Sequence, residues 1–83
     1  MGDDYRAVVQ KIVSNGKHGP FAVAGSEELG SVTFSLSATV WKGEQWPETG
    51  TYVVLSQVMK KRAGWRANHG RLLKPSDEKK QRG

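Results

Sequence analysis

The chain has no cysteine, which removes both a disulfide framework and a zinc–thiolate site. Histidine is nearly as scarce, with only His18 and His69. A metal site would therefore need His plus carboxylates, and no H-x-x-x-H spacing is present, so no metal or cofactor is expected. Both histidines are flanked by glycine and read as solvated turn residues. No G-x-S-x-G elbow or P-loop occurs. The acids lie in turns or near the termini, where nothing would desolvate them and raise a pKa for acid catalysis. The chain is not expected to be an enzyme.

Long apolar runs are missing too, since none approaches the roughly 20 residues that span a bilayer. The N-terminus Met1-Gly2-Asp3-Asp4 is acidic and unlike a secretory leader. Tyr5-Arg6 occupies the place where a myristoylation signal wants Ser or Thr. A soluble, cytoplasmic chain with no membrane partner is expected. At 83 residues there is room for one domain, with only a few kcal/mol of net stability.

Acid is absent from one long stretch. The chain carries 13 Lys plus Arg against 8 Asp plus Glu, a formal net charge of +5. Between Gln57 and Pro75 stand Lys60, Lys61, Arg62, Arg66, Arg71 and Lys74 with no acid among them. The acids cluster elsewhere: at the N-terminus, at Glu27-Glu28, at Glu44 and Glu48, and at Asp77-Glu78. Segregated charge of this kind makes a positive patch suited to a polyanion.

Helical periodicity is also lacking, and period two takes its place. From Ser31 to Val40 the even positions are apolar and the odd ones Ser or Thr, which predicts a strand over Ser31–Trp41 with one face in the core. Tyr5–Val13 is a second strand, ended by the turn-forming run Ser14-Asn15-Gly16-Lys17-His18-Gly19-Pro20. Phe21–Ala24 returns, stopped by Gly25-Ser26, and Glu27–Gly30 turns into the long strand. A loop with two Gly and a Pro follows Trp41. Thr51–Met59 is a fourth strand whose apolar phase is inconsistent, so it should hold a bulge or be covered on both faces. Lys60–Gly64 forms a basic hairpin connection to a fifth strand over Trp65–Leu73, with Gly70 a candidate bulge. The expected architecture is all-β: a small five-stranded antiparallel barrel of oligonucleotide-binding (OB) type over residues 5–75. Residues 1–4 should be flexible and 76–83 a disordered charged tail.

The order of elements resembles two families of OB-fold nucleic-acid binders, the cold-shock domain and the S-one type RNA-binding domain. The S-one pattern of a Gly-x-Phe-Val followed by a Ser-bearing strand is similar to Gly19-Pro20-Phe21-Ala22-Val23 and Gly30-Ser31-Val32-Thr33-Phe34-Ser35. Gly50-Thr51-Tyr52-Val53-Val54 resembles the Gly-led fourth strand of both. Gly64-Trp65-Arg66-Ala67 and Leu72-Leu73-Lys74-Pro75 resemble the cold-shock C-terminal hairpin and its final Arg-Pro. Ser35 stands where that family has a His, and Thr33 where it has an aromatic. Lys11-Ile12-Val13 lies near the place of its first-strand Lys-Trp-Phe. The resemblance implies a barrel that binds nucleic acid, with Phe21 at a stacking position.

Single strands are held by cations on phosphates and by aromatic rings on which bases stack. The candidate binding residues are Lys11, Lys17, Phe21, Trp41, Lys60, Lys61, Arg62, Trp65, Arg66 and Arg71. Phe21 is balanced between stacking and core packing, whereas Phe34 belongs to the core. Trp41 falls in the polar phase at a strand end, which favours exposure, although it could equally cap the barrel. Trp46, beside Pro47, is expected to plug the barrel bottom. Trp65 faces the core if Ala67 does, and is a platform if the hairpin tip is splayed.

The reading is a monomeric module for single-stranded RNA or DNA with low sequence specificity; a variant of it, differing mainly in context, is a subunit or assembly factor of a ribonucleoprotein complex whose basic face docks on structured RNA. The competing reading is a protein-interaction barrel, SH3-like or OB, serving as an adaptor or assembly factor. It gives no reason for six cations without an acid.

Overall fold

The computed structural model describes residues 4–17, 19–62 and 64–74. The expectations for residues 1–3, for His18 and for the tail from Pro75 onward lie outside the described residues. Five strands run in chain order: β1 (Tyr5–Val13), β2 (Phe21–Ser26), β3 (Gly30–Ser35), β4 (Tyr52–Lys61) and β5 (Gly64–Leu72). No helix occurs among the described residues. The hydrogen-bonded order is β1-β2-β3-β5-β4, closed into a barrel by pairing of β4 with β1. This is an all-β barrel of OB-like strand order. It is not wholly antiparallel, because β3 and β5 pair in parallel. Placing the β4–β5 hairpin with β5 inside the order makes β5 run alongside β3 in the same direction.

Small residues opposite large ones let the strands close around a narrow core. Phe34 is fully buried and is flanked across its two neighbouring strands by Ala22 and Ala67. Val32 faces Ala24 in the same way. Val9, Val53 and Leu55 fill the remaining volume. The register of β1 against β2 slips between Val9 and Lys11, leaving Gln10 as the extra residue. At that bulge the Val9 amide donates to the Thr51 carbonyl (2.9 Å) and the Gly50 amide to the Val9 carbonyl (2.7 Å). The strand thus bends from β2 onto β4.

On β4 the expected alternatives resolve toward cover on both faces: Val53, Val54 and Leu55 are consecutively buried. The register against β5 does not slip. The apolar phase changes at Gln57, whose φ is 54°, so Val53 and Leu55 face inward before it and Val58 packs on the core after it. His69 is in β5 opposite Ser56 and half-buried, not in a turn.

The long strand expected over Ser31–Trp41 ends at Ser35. Beyond it Leu36 donates its amide to the Pro20 carbonyl (3.0 Å), and a single turn follows, closed by the amides of Val40 and Trp41 on the Ser37 carbonyl. Leu36 and Val40 are four apart, a spacing that serves a strand and a helical turn alike. Trp41 then bridges to Gly70. The residue is 3% exposed and its indole is stacked on Phe34, with ring centroids 5.8 Å apart. Nε1 donates to the Gln45 carbonyl at 2.8 Å. Trp41 therefore seals the barrel floor. Trp46, expected to do so, is 47% exposed.

Candidate functional site

Directly opposed residues on neighbouring strands project from the same side of a sheet, so the registers define rows across the outer wall. One row is Lys11–Val23–Thr33–Arg66–Met59. The neighbouring row is Val13–Phe21–Ser35. The inward neighbours Ala22, Ala24 and Phe34 are buried, which forces these residues outward.

A shallow pocket of about 310 Å³ opens on this wall. Phe21 from β2, Thr33 and Ser35 from β3, and Arg66 from β5 line it, with Lys17 and Pro20 arriving from the β1–β2 loop. Phe21 is half-buried, so part of its ring remains accessible, and Lys17 and Arg66 are exposed. No acid lines the pocket. The loop is held over the ring by its own chemistry. Gly19, at φ 100°, donates its amide to the Gly16 carbonyl at 3.1 Å. A Cβ on Gly16 would stand 2.7 Å from the Gly19 oxygen and 3.0 Å from Phe21 Cε1. Glycine at that position is what allows the loop to close down against Phe21.

Hydroxyl groups form the rest of the surface. Thr33 Oγ1 donates to the Trp65 carbonyl at 3.4 Å. Ser35 Oγ donates to Ser37 Oγ and accepts the Ser37 amide, both at 3.1 Å. Each hydroxyl can still accept from a ligand, and neither commits the site to one hydrogen-bonding pattern.

Five of the ten candidate residues therefore share this wall: Lys11, Lys17, Phe21, Lys61 and Arg66. Lys61 lies in phase with Met59 and Arg66, near the β4–β5 turn where the exposed Arg62 also sits. Lys60 is directed elsewhere. It opposes Trp65, and its Nζ stands 4.9 Å from the centroid of that indole, a cation–π contact. Trp65 is half-buried and packs on the core in line with Val32 and Ala67, so the ring is both partly sealed and capped by Lys60. Arg71 belongs to another row, Arg6–Val54–Arg71, about 17 Å of strand beyond Arg66 at the usual rise per residue. Trp41 is corrected outright: enclosed in the barrel floor, it offers no face for stacking.

Pro20, Thr33 and Ser35 are pocket residues that were not candidates. The signal for the last two was in the alternation of β3, whose odd positions are polar and whose register places them beside Phe21. No group of three or more His, Asp or Glu able to hold a metal occurs among the described residues. The described residues contain no helix long and apolar enough to cross a membrane. No family model matches the chain, and no significant match to it was found among curated proteins or solved structures.

Proposed function

We propose that this chain binds single-stranded RNA or DNA on the outer wall of β1, β2, β3 and β5, and that it acts by holding the strand without chemistry. The observation that carries the reading is that one partly exposed ring, Phe21, lines the same acid-free pocket as Lys17 and Arg66. OB barrels engage oligonucleotides on the face of their second and third strands and with the β1–β2 and β4–β5 loops. Here those elements supply Phe21, Thr33, Ser35, Lys17, Lys61 and Arg62.

A base stacked on Phe21 would contribute about 1–3 kcal/mol. Lys17, Arg66 and Lys11 would meet phosphates, each neutralised phosphate adding about 0.7 to the salt slope for a single strand. A single strand is preferred to a duplex because no helix among the described residues could enter a major groove. Thr33 and Ser35 hydroxyls both donate and accept, so sequence preference should be low. The likeness to cold-shock and S-one domains enters through the barrel and Phe21, with hydroxyls where the cold-shock wall has rings. A cytoplasmic ribonucleoprotein is the setting that suits such a module.

The test is a titration of fluorescein-labelled octanucleotides, oligo-U and oligo-dT, at low and at physiological salt. Binding at low salt that weakens steeply with added salt supports the proposal. Absence of binding at low salt ends it.

A further inference from the structure

A second groove, of about 420 Å³, lies on the loop between β3 and β4 and shares no residue with the Phe21 pocket. Trp46 and Leu72, each 47% exposed, both line it. Glu44 and Glu48 border them, and no Lys or Arg contributes to its lining. The charge is thus the reverse of that around Phe21.

The groove is built on a fixed frame. Pro47 is buried between the two exposed neighbours Trp46 and Glu48. The Glu48 amide donates to Thr51 Oγ1 at 3.3 Å, and the Thr51 amide donates to the Glu48 carbonyl at 3.0 Å. Gly50, at φ 87°, ties the same turn to the β1 bulge. An indole held open on a rigid turn costs little ordering when a partner covers it. Trp46 is not among the side chains packed on the barrel core, whose floor Trp41 already closes.

From this geometry we infer that the groove docks a basic, extended segment of a partner protein. A proline or leucine side chain lies on the Trp46 indole beside Leu72, and flanking Lys or Arg residues face Glu44 and Glu48. An aromatic wall beside carboxylates matches the way extended Pro-containing peptides are gripped, with rings for the apolar residues and acids for the cations. Nucleic acid is repelled from this groove by the same carboxylates that attract the peptide. The two surfaces are therefore separable, and the inference does not depend on the nucleic-acid reading.

The test uses the full chain, isotope-labelled, with three acetylated and amidated nonapeptides: (Pro-Leu-Arg)3, (Pro-Leu-Glu)3 and (Gly-Gly-Arg)3. The Trp46 indole N–H, identified by Trp46→Phe, is followed by NMR, and the Trp41 indole signal reports on the intact barrel. (Pro-Leu-Arg)3 should shift the Trp46 indole and the Leu72 amide saturably, and the other two peptides should bind about tenfold more weakly or worse. The double variant Glu44→Gln/Glu48→Gln should lose at least about fivefold in affinity with the Trp41 signal unmoved. An octa-dT at saturation should leave the Trp46 signal in place. No Trp46 shift at millimolar (Pro-Leu-Arg)3 overturns the inference, as does equal binding of either control peptide. A Trp46 shift that follows protein concentration alone, with a dimeric mass, also overturns it by making a second copy the occupant.

Discussion

Trp41 lies against Phe34 with the two ring planes inclined by 28°, and the pair turns an open barrel end into a closed floor. Aromatic contacts of this kind add to the area that they bury. In a domain whose net stability is only a few kcal/mol, one such contact is a large share of the total. Trp41→Ala should therefore cost about 3–5 kcal/mol, enough to unfold most of the protein. Trp46→Ala, at an exposed site, should stay within about 0.5 kcal/mol of the parent. Urea unfolding of both variants checks the assignment, and a reversed order would place the plug at Trp46.

Glycines around that floor grade its tolerance. A Cβ on Gly70 would come within 3.1 Å of Leu55 Cδ2 and 3.3 Å of Trp41 Cε3, side chains that are themselves buried. Gly70→Ala should cost about 1–3 kcal/mol by overpacking. Gly43→Ala should also destabilise, since its Cβ would sit 2.7 Å from Trp41 Nε1 and disturb the hydrogen bond to Gln45. At Gly25 the nearest obstacle is the amide end of Gln10 at 2.5 Å, and Gln10 is exposed and free to swing away. Gly25→Ala should be close to neutral. Melting temperatures ranked Gly25→Ala highest, with the other two well below, are the expected result.

These elements are legible in the sequence where one physical signal dominates and obscure where two compete. β1 was legible from Tyr5 to Val13 because turn formers follow it directly. The end of β3 was not, since Leu36 and Val40 satisfy period two and a helical turn equally, and only the carbonyl of Ser37 decides between them. The choice of plug between Trp41 and Trp46 depends on the path of a loop, which residue types do not encode. Lys60-Lys61-Arg62 reads as one basic run, yet neighbouring strand positions face opposite sides, so Lys60 covers Trp65 and Lys61 joins the outer wall. Phe21 was balanced between core and surface in the sequence, and the register with Ser35 places it outside.

Phe21→Ala should weaken octanucleotide binding by about 1–3 kcal/mol, while Phe21→Tyr keeps a ring and should bind within about twofold of the parent. Fluorescence anisotropy reads both, and a melting curve verifies that the barrel persists. Equal affinity for parent and Phe21→Ala would remove stacking from the mechanism.

Charge variants separate the walls. Lys17→Gln and Arg66→Gln should each lower the salt slope by about 0.7 for a single-stranded ligand. Lys61→Glu/Arg62→Glu/Arg66→Glu should abolish binding. Arg71→Gln, placed in the row with Arg6 and Val54, should leave the slope within error of the parent. A slope reduced equally by Arg71→Gln and Arg66→Gln would mean that net charge, and not the Phe21 wall, governs the affinity.

The most direct measurement is an amide and side-chain NMR titration of the labelled chain with octa-U and octa-dT at low salt. The account predicts the largest shifts at Lys17, Phe21, Thr33, Ser35 and Arg66, with smaller ones at Lys61 and Arg62 and none at the Trp46 indole. Shifts confined to the Trp46 groove or to the Arg6–Val54–Arg71 row, or no shifts at all, would contradict it.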